Sequence, residues 1–258
     1  MIKGKRLLLG SIPIAAVLIL WELLHLFRVI PEWILKSPYH VFATLWTALI
    51  DGTLARIVAT SMINAAVGFS AALIMALVLG LCIGLKENAQ MMFQPLLSVL
   101  YPIPSIAWLP LIIIFLGFSR RTVWAVIFLS AFFKIIYNVI GGVRSVDRTL
   151  IWSAVNLGMN RWRLIREVIL PGAFPQILTG IRLGFGSAWR SLVGAEMLTV
   201  GVGGLGSYIW TAQWFFRFDK VLAGIIVIGC IGFAIEHLLF GRLEKRTIVR
   251  WGMIREGN

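Results

Sequence analysis

Few residues in this 258-residue sequence can do chemistry, and those that can sit among apolar neighbours. Lys134, Arg182, Arg190, Glu196 and Glu236 all fall inside oily runs. A charge there is costly facing lipid, so each should face protein or water. A cationic lining of this kind suits an anionic solute. At 100° per residue along a helix, Arg182 and Glu196 lie within about 40° of one azimuth, whereas Arg190 and Glu196 lie about 120° apart. One helix therefore presents acid and base on more than one face. Arg182, nearer a membrane edge, can snorkel to the interface. Glu196 lies deeper and is either a pathway residue or a structural partner for Arg190 or another span. Glu22 and His25, three residues apart, read as a satisfied polar pair.

Recognised catalytic patterns are missing around these charges. "GVGGLG" at 201–206 satisfies G-x-G-x-x-G through Gly201, Gly203 and Gly206, but it follows an apolar span with no βαβ context, so it reads as a flexible glycine turn. The sequence contains no G-x-x-x-x-G-K-[ST], H-E-x-x-H or C-x-x-C, and its three histidines, His25, His40 and His237, are far apart. Neither catalysis nor a metal site has support. Cys82 and Cys230 fall in apolar runs and are expected to be buried small hydrophobes, not a disulfide.

The elements that position these residues are membrane helices. Hydrophobic residues make up 59% and charged ones only 14%, against about a quarter charged in a soluble domain. Mean hydropathy is +0.91. The net charge of +13 is spread through short connections and both ends, which points to membrane topology and not to nucleic acid. Six spans are expected, at about 7–27, 60–85, 92–117, 122–143, 177–199 and 221–241, each near the ~20 residues a bilayer requires. Lys3, Lys5 and Arg6 precede the first, which has no cleavage site and reads as uncleaved. With the N-terminus inside, inner segments carry twice as many Lys and Arg as outer ones, placing both termini in the cytoplasm.

Two segments depart from plain spans. After Ser37 and Pro38, Val41, Phe42, Leu45, Trp46 and Leu49 recur at helical spacing, as in a helix lying in the interface or packed on the protein's own spans. The third span, "QPLLSVLYPIPSIAWLPL", holds Pro95, Pro102, Pro104 and Pro110, which a regular helix cannot accommodate. Irregular backbone at membrane depth survives only inside protein or beside a wet cavity. Tyr101, Pro102, Pro104, Ser105 and Trp108 are therefore candidates, with Glu196, for a pathway wall; a kinked helix filling the bundle is the other reading. Gly80 and Gly84 permit close helix approach, within the chain or between chains.

Between the fourth and fifth spans lies "WSAVNLGMNRWRLIREVILPGAFPQILTG". Thr149 onward makes two helical turns, Gly158 suits a left-handed stop, and Asn160 caps a second helix running to Leu170. Pro171 and Pro175 are expected to break the chain before the fifth span. The helix-turn-helix carries Trp152, Ser153, Ala154, Leu157, Gly158, Met159 and Arg161. It is either a docking surface or a basic patch on anionic headgroups with Trp162 at the interface.

Gly158, followed after nine residues by Val168, Leu170 and Pro171, resembles the G-x9-I-x-L-P half of the cytoplasmic loop motif of ATP-binding-cassette importer permeases. "PGAFPQILTGIRLGFGSAW", "YPIPSIAWLPL", "GGVRSVD", "GAEML" and "GGLGSYI" resemble the nitrate, sulfonate and taurine branch across nearly the whole chain. The resemblance implies an all-α type I permease, a single domain over 1–258, whose loop at 148–176 holds a coupling helix. It implies a second permease copy, two ATPase subunits carrying ATP and Mg, an external solute-binding protein, the bacterial inner membrane, and no cofactor in this chain. Gly203, Gly204, Gly206 and Tyr208, in the outer turn, are expected at the binding protein. The motif's opening Glu-Ala-Ala is Trp152-Ser153-Ala154 here, an aromatic in place of an acid. A stand-alone secondary transporter, or a scaffold docking a cytoplasmic partner, remains the alternative on the residues alone.

Overall fold

The computed structural model describes residues 2–32 and 34–244 and is helical throughout that length, with no strand among the described residues. Helix α1 spans Ile2–Leu26, α2 Pro38–Ile50, α3 Thr53–Gly84, α4 Glu87–Leu100 and α5 Leu109–Leu116. Beyond them come α6 (Arg120–Arg144), α7 (Arg148–Asn156), α8 (Arg161–Leu164), α9 (Leu170–Leu198), α10 (Leu205–Trp214), α11 (Phe218–Ala234) and α12 (Gly241–Glu244). Wide π turns at Ile165–Ile169 and Ile235–Phe240 join α8 to α9 and α11 to α12 without interruption. Among the described residues, four helices are long and apolar enough to cross a membrane: 53–84, 120–144, 161–198 and 218–243. The pair α4 and Ser105–Leu116 is together apolar enough for a fifth but is bent by 86° at the break; α1 adds a shorter apolar stretch, Ala15–Leu26.

Three helices make the core. Lipid offers no hydrophobic drive to bring helices together, so close packing of small residues must hold them. On α3 a Cβ at Gly68 would lie 2.7 Å from Ile127, at Gly80 2.8 Å from Val139 and at Gly84 3.0 Å from Val143. The contacts climb both helices in the same order, so α3 and α6 run parallel. Gly80 and Gly84 thus serve contact within the chain. On the opposite side of α6, Gly142 meets the Ala173 carbonyl, Gly180 meets Asn138 and Gly184 meets Ile135, so α9 runs antiparallel. Val123, Ile127, Ile135, Ile136 and Val139 of α6 are accordingly buried between the two. Helix α11 lies antiparallel to α9 through Trp189 Nε1 donating to the Ile228 carbonyl and the Arg182–Glu236 ion pair.

Several expectations change. Pro171 and Pro175 do not break the chain: the span expected at 177–199 belongs to one 38-residue helix from Arg161. Pro171 stands in the first turn after the π turn, where Leu170 N–H has already reached back to Ile165, and the wider winding absorbs its missing donor. Arg182 does not snorkel; its Nε lies 2.6 Å from Glu236 Oε1. His25 does not meet Glu22 but contacts the Leu35 carbonyl through Nδ1 at 3.1 Å, while Trp21 Nε1 donates to the Lys36 carbonyl, folding the α1–α2 link back on itself. Cys82 and Cys230 are exposed on outward faces, because apolar positions on a spanning helix face lipid as readily as core. In α2, capped by Ser37, Val41 is buried whereas Phe42, Trp46 and Leu49 stay exposed, so the helix packs with one face and leaves an apolar face free.

Gly80→Leu should wedge α3 from α6 and cost about 1–3 kcal/mol, as overpacking generally does. A lower unfolding temperature in detergent checks this; Gly229→Leu, where no neighbour stands within 4 Å, is the control and should leave it unchanged.

Candidate functional site

Polar groups in the crossing region gather at two places: one sealed, one open. The sealed one centres on Glu196 near the end of α9. It is fully buried, as are Ser61 and Asn64 of α3 to within 1%. Ser61 Oγ donates to the carboxylate at 2.8 and 3.0 Å, Asn64 Nδ2 at 3.0 Å and Gly206 N–H at 3.1 Å. Ser61 Oγ in turn accepts from Leu205 N–H at 2.8 Å, and Trp124 Nε1 of α6 fixes the Asn64 amide by donating to its oxygen at 3.0 Å. Glycine is obligatory in the turn above: Gly204 has φ +98°, and a Cβ there would reach 2.5 Å from the Glu196 carboxyl carbon. Ser207 Oγ closes the clamp on the Glu196 carbonyl at 2.7 Å.

Of the two roles expected for Glu196, the structural one fits: it is enclosed, and its partners are neutral groups, chiefly on another span, and not Arg190, which is exposed. The glycine turn, expected to be flexible, is packed: Gly204 and Gly206 are buried against that carboxylate. Gly203 is half-buried, and Tyr208 lines a cleft of about 640 Å³ between α2, α10 and α11 with Lys36, His40, Asp51, Arg217 and Lys220. Sequence spacing could not reveal the sealing, because Ser61 and Asn64 lie 135 and 132 residues away.

The open place is the broken crossing. Pro102 and Pro104 supply no backbone donor, so α4 stops at Leu100 and a 3₁₀ turn at Ser105–Trp108 starts the return into α5. Tyr101, Pro102 and Pro104 are exposed in the break; Ser105 and Trp108 are half-buried. The break faces α6 and α9. Ser105 Oγ lies 2.8 Å from Ser191 Oγ, which lies 2.9 Å from Ser130 Oγ, which donates to Ser187 Oγ at 2.9 Å. A hydroxyl has one proton, so the donation to Ser187 sets the chain direction: Ser105 to Ser191 to Ser130 to Ser187. Below it, the Tyr101 ring packs on Tyr137 at 5.2 Å, with Lys134 Nζ 5.1 Å over its face. Gln90 and Gln94 of α4, joined at 3.1 Å, border a cavity of about 100 Å³ with Tyr137, Gly141 and Arg144. Ser130, Lys134, Tyr137, Gly141 and Arg144 recur at i, i+4, i+7, i+11 and i+14, one face of α6. That spacing was readable in the sequence beforehand, yet only Lys134 was singled out.

A third feature is the loop beyond α6. Asp147 caps α7 by accepting from Thr149 N–H at 2.7 Å, a bond that holds its carboxyl below the usual carboxylate range. Gly158 has φ +80°, and Met159 N–H reaches back to the Ala154 carbonyl at 3.1 Å, closing the helix as a Schellman turn. Asn160 Oδ1 then caps the next helix by accepting from Arg163 N–H at 2.9 Å. Ala154 is buried, but Leu150, Trp152, Val155, Leu157 and Trp162 are all more than half exposed, Leu157 to 85%. Ser153 and Arg161 are exposed and Met159 half-buried.

The described residues thus form a bundle of apolar membrane-length helices with a capped, exposed helix-turn-helix between two of them. Residues 68–249 match the family described as the binding-protein-dependent transport system inner membrane component, and the chain belongs to it. It is similar to the taurine transport system permease protein TauC of Escherichia coli, 32% identical over 253 residues, covering 96% of this chain and 91% of that one. It is also 30% identical over 179 residues to the bicarbonate transport system permease protein CmpB of Synechococcus elongatus, covering 69% of this chain and 64% of that one. It is therefore an ABC transport permease, a multi-pass membrane subunit of an import system.

Glu196→Ala would leave three buried donors without an acceptor and should cost roughly 3 kcal/mol. Glu196→Gln, which keeps an oxygen, should cost less. Thermal unfolding in detergent by tryptophan fluorescence reads both; an alanine variant as stable as the wild type would refute the lock.

Proposed function

We propose that the chain is one half of a homodimeric ABC importer permease for a small anion such as a sulfonate or bicarbonate, with six spans and both termini in the cytoplasm. The observation that carries this reading is α7: a nine-residue helix, capped at both ends, whose large apolar side chains are more than half exposed among the described residues. A face of that kind needs a cover, and the family supplies one by type, an ATPase subunit. Trp152, where the family motif has an acid, becomes an aromatic anchor for a pocket on that subunit. The names of the taurine and bicarbonate relatives support the solute class.

Helix directions support the topology. The chain leaves α6 and enters the long 161–198 helix at the docking loop, and α11, antiparallel to α9, ends on that same side. Two ATPase subunits, carrying ATP and Mg, would bind one loop on each permease copy. Their closure would draw the loops together and swing the dimer between inward-open and outward-open states. An external binding protein would release solute into the opposite face, for which the cleft holding Tyr208 is better exposed than the buried glycines. Tyr101, Pro102, Pro104, Ser105 and Trp108 would line the pathway; Glu196 would hold the outer turn in shape.

Gly158→Val forces a β-branched residue into a left-handed position that only the backbone, and no neighbour, makes costly. It should abolish co-purification of the cognate ATPase while leaving the bundle folded. Trp152→Ala should weaken that association at least about tenfold, about 1.4 kcal/mol. ATP-driven uptake of taurine or bicarbonate into proteoliposomes containing the whole complex is the functional readout. Solute flux by the purified chain without ATPase, or full coupling in Gly158→Val, would overturn the proposal.

A further inference from the structure

We infer that Lys134, held over the Tyr101 ring, is the charge that selects anions in the broken crossing. This rests on the importer reading above and names the residue that confers its solute class. Lys134 sits midway along α6, inside a crossing, where a cation is expensive unless a specific partner or water meets it. The acids of the other crossings are already occupied: Glu196 by Ser61, Asn64 and Gly206, and Glu236 by Arg182. No ion pair involves Lys134 among the described residues. Its ammonium rests on a π face, which lowers the cost of the charge without neutralising it. Nor does the nearby amide compensate, since Asn138 Nδ2 donates to the Lys134 backbone carbonyl.

The surroundings match an oxyanion. Tyr101 stands in the break itself, exposed, so the ammonium is next to the irregular backbone and not sealed behind it. A sulfonate or bicarbonate carries one negative charge, which a single ammonium without a carboxylate partner can meet beside the break without a deep trap.

The test separates local potential from transport. In the full chain with Cys82→Ser and Cys230→Ser, Ile103→Cys introduces a thiol at the break. Its rates with an anionic reagent, sulfonatoethyl methanethiosulfonate, and a cationic one, trimethylammonioethyl methanethiosulfonate, are compared in lipid nanodiscs. Adding Lys134→Gln should lower the anion-to-cation rate ratio about fivefold or more, as removal of one nearby charge requires, and Lys134→Arg should preserve it. In the complex, Lys134→Gln should also depress bicarbonate or taurine uptake while ATPase co-purification stays at the wild-type level. A ratio indifferent to Lys134→Gln, or a thiol that neither reagent reaches, would overturn the inference. Failure of ATP-driven uptake in the wild-type complex would instead sink the importer reading, and the thiol ratio would still decide the role of Lys134.

Discussion

Everything else in this molecule depends on how closely α6 can lie between α3 and α9. In lipid the outside of each helix is as apolar as its inside, so burial of leucine cannot choose the arrangement. Backbone proximity chooses it: Gly68, Gly80 and Gly84 on one side, and Gly142, Gly180 and Gly184 on the other, admit β-branched side chains and carbonyls where any Cβ would collide. The register this sets brings Ser61 and Asn64 to Glu196 and Ser130 to Ser187 and Ser191. Both polar clusters are consequences of glycine packing.

The clusters divide the crossing region into a fixed part and an open part. Around Glu196, three helices and a turn are tied to one carboxylate, which makes that end of the bundle a unit. At Tyr101 to Ser105, prolines interrupt the ladder and the groups that meet are hydroxyls, rings and one ammonium, with neighbours on a single side. An acid held by three neutral donors is good for rigidity. A cation with a π face and, among the described residues, no ion pair is suited to a transient anion.

Much of this was legible in the sequence, and the reasons for the remainder are physical. Apolar runs marked four long helices and the bent pair, and the spacing of Pro102 and Pro104 located the break, because backbone donors are counted residue by residue. Gly158 and Asn160 announced the loop, since a left-handed position and an N-cap are local requirements. Glu196 was legible as a charge in need of a partner, but which of its roles it takes was decided by residues more than 130 positions away. Pro171 and Pro175 were given too much weight: a helix can widen by one residue per turn and continue. The serine chain was invisible, since serine is common and only the three-helix register brings four of them together.

The uninterrupted helix from Arg161 to Leu198 has a mechanical corollary. At 1.5 Å per residue it is about 57 Å long, well over the ~30 Å of hydrocarbon it must cross, so a substantial arm projects beyond the bilayer. Its tightest contact with α6, at Gly180 and Gly184, lies about 30 Å from the loop end. A tilt of about 10° about that fulcrum would carry the loop roughly 5 Å sideways and the serines just past the pivot by only about 1–2 Å. Such a lever would be geared: broad strokes at the exposed loop would arrive at the hydroxyl chain as small displacements.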